Sequence, residues 1–292
     1  MTTPAEKNAR AWQPLTPRGA AAFARAPLWR LLAVQLFFAA LSAAAVVWFL
    51  DGVWFPVIRE AIRQLPPQGE IRSGNLNWHG QSPQLLVESR FLTLTVDLDH
   101  SRRLRVPAHI QVEFGRNDVR FISLFGYAGR EYPGSNKVIA FNRTELEPWW
   151  GAWEPPLLWI AAGAVLAGLI ACWAALATMY SLPLWLGGYF ANRALSWRGS
   201  WKLGGAALMP GALLLSAGIL LYGSGVLDLV QFIAIGVAHI VLGWIYASWC
   251  VGCLPRHTPG VPARGNPFVA PPAAAENDAG TPPEGGSSLP GD

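Results

Sequence analysis

The sequence predicts a membrane α-helical bundle of four transmembrane helices carrying an inserted extracytoplasmic, antiparallel β-rich (α+β) domain. Three observations predict it. The 292 residues are 52% hydrophobic and only 14% charged, whereas a soluble domain carries about 25% charged residues. The missing charge is concentrated in four stretches, Leu31–Leu50, Pro155–Asn192, Leu203–Leu227 and Leu229–Pro255, each free of Asp, Glu, Lys and Arg. A helix crosses a bilayer with roughly 20 apolar residues, and all four stretches reach that length. Between the first two, the hydrophobic period changes from that of a helix to that of a strand.

Charge placement sets the expected orientation. Residues 1–30 hold Lys7, Arg10, Arg18, Arg25 and Arg30 against Glu6 alone. Residues 51–154 are balanced, residues 193–202 hold Arg193, Arg198 and Lys202, and the turn before the last helix holds only Asp228. Basic residues mark cytoplasmic loops. Both termini are therefore expected in the cytoplasm of a bacterial inner (plasma) membrane, with 51–154 and 223–228 outside. The net charge of +4 is read as this orientation, and no nucleic-acid partner is expected. The cysteines, Cys172, Cys250 and Cys253, all lie beyond 51–154, so that domain must hold together without a disulfide.

The elements come in chain order. Residues 1–28 are polar and proline-bearing, a mobile cytoplasmic arm. Transmembrane helix 1 covers 29–50. A cleaved signal peptide is the rival, but its apolar region is about 7–15 residues and this run continues to Leu50. In "WFPVIREAIRQLPP", Val57, Ile58, Ala61, Ile62 and Leu65 share one helical face, and Pro66 and Pro67 stop the helix. "FLTLTVDLD" and "HIQVEF" then alternate as half-buried strands, with "VRFISLF", "KVIAF" and a weaker "EIRSGNLNW". About five strands, mostly antiparallel, complete the 51–154 domain.

Thr144 and Glu147 have capping-box spacing. Helix 2 is expected from about Leu157 to Thr178, with Ala164/Gly168 and Ala167/Ala171 spaced for close packing in lipid. Pro183 and Gly187–Gly188 interrupt the apolar run beyond Thr178, suggesting a cytoplasmic interfacial segment at 179–203. Helix 3 is kinked at Pro210, and helix 4 runs Leu229–Cys250, which places helices 2–4 within 155–254. The tail, 255–292, holds nine prolines and six glycines and is expected to be disordered.

"WWGAWEPPLLW", Trp149 to Trp159, holds four tryptophans. Tryptophan favours membrane interfaces, because its ring is apolar and its N–H needs a polar partner. Trp48, Trp54, Trp149, Trp150 and Trp153 are read as outer interfacial anchors, and Trp29, Trp185, Trp197, Trp201 and Trp249 as the inner belt. An aromatic ligand cage is the rival reading.

Candidates for chemistry are few. Cys250 and Cys253 form the one CxxC, with His257 nearby; a structural zinc wants four ligands, and the bland reading is two small residues at a helix end. Asp97 and Asp99 share a strand face by spacing and form a candidate extracytoplasmic site, with ion pairing to the following arginines the simpler reading. His239, with Gln231 and Gln35, is the candidate intramembrane polar site, since ionisable residues in spans are functional candidates; bonding to a neighbouring helix is the competing role. Asn142–Thr144 fits a glycosylation acceptor. There is no GxSxG, HExxH, Walker or dinucleotide-binding motif, so neither catalytic residues nor a cofactor nor a metal is expected.

The stretch "LPPQGEIRSGNLNW" followed by "LTLTVDLD" resembles an uncharacterised bacterial membrane family, domain-of-unknown-function family eleven eighty-nine, a relative of the Yip-type membrane proteins. Pro66, Gly74 and Asp97 are the matching positions, over about residues 28–250. The chain lacks the acidic cytoplasmic motif of Yip proteins. The resemblance implies a membrane placement and no known reaction. The expected function is non-enzymatic: the outside domain binds a partner or senses the envelope, and a transporter or permease component is the alternative. The expected partners are the lipid bilayer, other membrane or envelope proteins, and further copies of the chain.

Overall fold

A computed structural model describes residues 12–256, apart from 102, 105 and 135–137. The chain divides into Met1–Pro255 and Arg256–Asp292. The expected tail from residue 257 onward, and the first 11 residues of the expected arm, lie outside the described residues.

The rest of the arm is built into the helical core. Helix α1, Pro17–Ala22, is capped by Thr16, whose hydroxyl accepts from the Gly19 amide. Its small residues allow close approach, and Ala20 and Phe23 are fully buried. Tyr246 donates to the Pro14 carbonyl at 2.9 Å, and Lys202 to that of Ala26 at 2.6 Å. Thus residues 12–26 are packed on the helix ends, a correction to the mobile arm: the small apolar residues Ala20, Ala21, Ala24 and Ala26, with Phe23, are buried and decide its fate.

Among the described residues, four helical segments are long and apolar enough to cross a membrane: Leu28–Arg63, Arg143–Phe190, Trp197–Gly223 and Leu229–Gly252. The first comprises α2, Leu28–Phe49, a π-helical turn at Leu50–Trp54, and α3, Phe55–Arg63. Pro56 lacks an N–H and its ring crowds the carbonyl four residues back; a locally widened turn accommodates it. Helix α3 buries Phe55, Ala61 and Ile62 and ends before Pro66, as its pattern predicts.

Among the described residues, eight strands come next. β1, Gly69–Arg72, and β2, Asn75–Trp78, form a hairpin over Ser73 and Gly74, both at positive φ; the sequence pattern shows them only as one weak strand. β8, Ile139–Ala140, pairs on the other side of β1. The second sheet has the order β3–β4–β5–β6–β7, made of Gln84–Val87, Leu92–Val96, Ile110–Phe114, Asp118–Ser123 and Gly126–Glu131. Its pairings are antiparallel except for β4 with β5, which is parallel.

Helix α4, Arg143–Phe190, runs unbroken for 48 residues through Pro148, Pro155, Pro156 and Pro183. At about 1.5 Å per residue it spans roughly 70 Å. Its cap is Asn142, which accepts from the Glu145 amide, two residues before the expected Thr144; the Thr144 hydroxyl instead donates to the Pro67 carbonyl. The separate segment expected at 179–203 is absent among the described residues: α4 absorbs its first half, and α5, Trp197–Ala207, its end. A proline costs a helix one internal hydrogen bond, and long apolar helices tolerate that loss. Helix α6, Met209–Gly223, meets α5 at Leu208 with Pro210 in its first turn, which is the expected kink. Helix α7 is Leu229–Gly252.

Close helix approach is not seen on the predicted α4 stripe, where a Cβ at Gly163 or Gly168 would meet nothing within 4 Å. A close approach is seen at Gly211 of α6, where a Cβ would stand 2.7 Å from the His239 carbonyl of α7. One core fills the helical part around Leu31, Tyr180, Leu203 and Met209. A second, with Ala61, Leu65, Ile71, Leu76, Val96 and Phe141, lies between α3 and the two sheets. A third, Phe55, Ile62 and Trp150, joins α3 to α4.

Candidate functional site: a cleft between the sheet and the last helical turn

The strand pattern gives the five-stranded sheet an apolar face, Leu94, Val96 and Phe114, packed on the second core. The opposite face carries Thr93, Thr95, Gln111 and Glu113, aligned in pairs by the parallel β4–β5 register. Alternation alone assigns that face to solvent. Instead Thr93 and Thr95 are 0% exposed and Gln111 and Glu113 5%. The cause is the β4–β5 connection: a parallel pair needs a crossover, and the described residues between Asp97 and His109 supply it over this face. Gln111 donates to the Leu104 carbonyl at 3.0 Å.

Where the crossover begins, His100 stands at positive φ and inserts its ring between two acids. Its Nδ1 lies 2.5 Å from Glu113 Oε1 and its Nε2 2.6 Å from Asp118 Oδ1. Asp118 also accepts from Arg120 Nε at 3.0 Å. A Cβ on Gly115 would stand 2.4 Å from the ring, so glycine makes room for it. Burial works against the imidazolium, but the hydrogen bonds to Glu113 and Asp118 outweigh it, and the His100 pKa is raised. Burial alone would raise the Asp118 pKa; the bonds from His100 and Arg120 reverse this, and it is lowered.

Glu113 and Arg120 also line a cleft of about 930 Å³. Its sheet wall adds His109, Gln111 and Tyr127, and its other wall is Asp228, Leu229 and Val230, where α7 begins. The walls are locked together beside it. Arg90 donates to the carbonyls of Gly225 and Leu227 at 2.8 and 2.9 Å. His109 Nδ1 lies 2.5 Å from the Tyr222 hydroxyl, with the rings stacked. Tyr222 also stacks on Phe49 and Phe232 and meets Phe91 edge-on. Burial, with Arg90 nearby, lowers the His109 pKa, which favours the neutral ring in this contact. A second depression, about 700 Å³, is lined by Glu70, Asn77, Trp78, His79, Arg116 and Glu145 among others.

The sequence candidates fall elsewhere. Asp97 and Asp99 do not share a face, because β4 ends at Val96 and the chain turns. Asp97 is 2% exposed and accepts from the Ser101 hydroxyl, whereas Asp99 is exposed and pairs with Arg116 at 3.3 Å. Gln231 and His239 are separate as well: Gln231 closes a capping box with Asp228, and His239 Nδ1 bonds the Gly236 carbonyl of its own helix. His239 borders a cavity of about 30 Å³ shared with Ser42 and Trp173, room for about one water. Gln35 is buried in α2 near Gly205. Cys250 is buried and Cys253 partly so, and no group of three or more His, Cys, Asp or Glu that could hold a metal occurs among the described residues. His257 lies outside them.

The tryptophans divide. Trp48, Trp149 and Trp153 are exposed, as interfacial anchors require. Trp150 is buried and meets Phe55 edge-on at 5.1 Å, and Trp54 packs on the same small core. These two hold α3 to α4 instead of facing outward.

Sequence reasoning missed Arg90, His109, Glu113, Asp118, Arg120 and Tyr222. One signal was present: in "HIQVEF" the second face carries Gln and Glu in register with two threonines of "FLTLTV". No family model, no curated protein and no solved structure matches the chain, and the resemblance to family eleven eighty-nine gains no support from these comparisons.

Proposed function

We propose that this chain is a multi-pass protein of the bacterial plasma membrane, with cytoplasmic termini and an extracytoplasmic β-rich domain that binds an envelope ligand or partner without catalysing a reaction. The cleft between β5–β6 and the start of α7 carries the proposal. It is concave, with a few converging polar groups on an apolar frame, as binding sites are. Its walls belong to the sheet and to the turn joining the last two apolar helices, so occupancy there bears on both. The arginine at position 90 and the His109–Tyr222 pair make that joint firm. The strongest acid–base candidate, His100, has both ring nitrogens committed to carboxylates, which suits a structural clamp and leaves no nitrogen for proton transfer. For the transporter alternative, the cavity beside His239 holds about one water.

Photo-crosslinking in intact membranes tests the proposal. A benzophenone side chain at Ile122, inside the cleft, is compared with one at Arg72, an exposed residue of β1. A discrete adduct at 122 that is absent at 72 is the expected result. The same adducts at both, or none beyond other copies of the chain, would overturn it.

A further inference from the structure

We infer that the tip of the β6–β7 hairpin is immersed in the outer leaflet of the bilayer, as an additional membrane contact besides the four helices. The inference rests on the membrane reading proposed for the chain. The hairpin has a polarity gradient. Its far end carries Arg116, Asp118, Arg120, Arg130 and Glu131, whereas the nine residues Phe121–Gly129 carry no charge. Ser123 pairs with Gly126, so the two-residue loop is Leu124–Phe125. Water-facing two-residue loops favour Asn-Gly or Asp-Gly; here Leu124 is 62% exposed, Phe125 83% and Tyr127 76%.

Position matters as much as composition. Leu124 and Tyr127 line the cleft together with Leu229 and Val230, the first residues of the last apolar helix. The tip therefore stands level with the place where that helix would enter the bilayer. The register agrees: Ser123 pairs with Ile110, which follows His109 and its bond to Tyr222 at the end of α6. Five strand steps of about 3.3 Å carry Asp118 roughly 16 Å away from that level, which sets the charged end in water and the apolar end in lipid. Tyr127 then falls beside the tip, at the depth where aromatic side chains with a polar group collect. The occupant of this apolar tip is thus the phospholipid bilayer, and the cleft behind it opens among the lipid headgroups.

Spin labels read this directly. In the full chain, Cys172→Ala and Cys253→Ala remove the accessible thiols, and Cys250 stays because it is buried. Single labels are placed through Phe125→Cys, Val237→Cys in α7 and Arg72→Cys in β1, in vesicles of phosphatidylethanolamine and phosphatidylglycerol. Collisions with oxygen, which concentrates in hydrocarbon, are compared with collisions with a water-soluble nickel chelate. The expected result is an oxygen-dominated label at 125 like that at 237, with a nickel-dominated label at 72. A label at 125 matching that at 72, while 237 stays oxygen-dominated, overturns the immersed tip and leaves the membrane reading standing. A label at 237 matching that at 72 overturns the membrane reading and this inference with it.

Discussion

Replacing His100 by alanine should open the five-stranded sheet, and the structure sets the size of the effect. The ring makes two short bonds to carboxylates, each worth about 1.5–3 kcal/mol when charge-assisted. Glu113 is 7% exposed in its side chain, so removing His100 strands a buried acid, a change that costs roughly 3–5 kcal/mol. Asp118 is 22% exposed and keeps Arg120, so solvent and the guanidinium recover most of its share. The net expectation is about 3 kcal/mol, or roughly two decades in the local opening equilibrium at about 1.4 kcal/mol per decade. Hydrogen exchange of the full chain in lipid nanodiscs measures it, at the amides of Asp97 and Gly115, which bond to the carbonyls of Phe114 and Asp118. The pH dependence supplies the sharper check. The folded-state pKa of His100 is raised above its ordinary 6.5, so its contribution is full below 6.5 and disappears as pH rises through the folded value. The gap between wild type and His100→Ala should be widest in slightly acid buffer and narrow in alkaline buffer. A gap below tenfold, or one indifferent to pH, would refute the clamp.

The joint behaves oppositely with pH. His109 has a folded pKa below its ordinary 6.5, so its contribution is present above 6.5 and is lost as pH falls through the folded value; His109→Phe should abolish that acid loosening, read by protease cleavage within residues 97–109. Arg90→Ala removes two hydrogen bonds to the α6–α7 turn; being exposed, they contribute about 1 kcal/mol, and exchange at Gly225 and Val226 should quicken several-fold while β5 stays protected. Gly211→Ala drives a methyl toward the His239 carbonyl and should cost about 1–3 kcal/mol as overpacking, seen as a lower unfolding temperature in detergent. His239→Asn keeps a polar group in the one-water cavity and should leave cleft adducts unchanged; a loss would move attention to the spans.

The helices were legible because charge-free runs and prolines are local signals, although their junctions were not. Pro183 and Gly187–Gly188 look like breakers, yet α4 runs through them, since the single hydrogen bond a proline removes need not end a long apolar helix. The strands "FLTLTV" and "HIQVEF" were legible from alternation. Their parallel pairing was not, because only the path of residues 97–109 makes it so. The same path buries Thr93, Thr95 and Glu113 and splits Asp97 from Asp99, which spacing alone puts together. His100 and Glu113 are 13 residues apart, and His109 and Tyr222 are 113 apart. No local pattern encodes either pairing.

Both helices that lead from the apolar spans into the β-rich part carry their irregularity at one level. In the first it is the widened turn at Leu50–Trp54, and in the second the Pro155–Pro156 pair, which leaves the carbonyls of Gly151 and Ala152 without their helical donors. Phe55 and Trp150 clasp the two together just there. The third attachment, through Arg90 and the α6–α7 turn, contains no continuous helix at all. The β-rich part is therefore seated on two irregular helical stalks and one side-chain joint. Losing the Arg90 and His109 bonds would thus loosen the sheet from the α6–α7 turn while α3 and α4 still carry it.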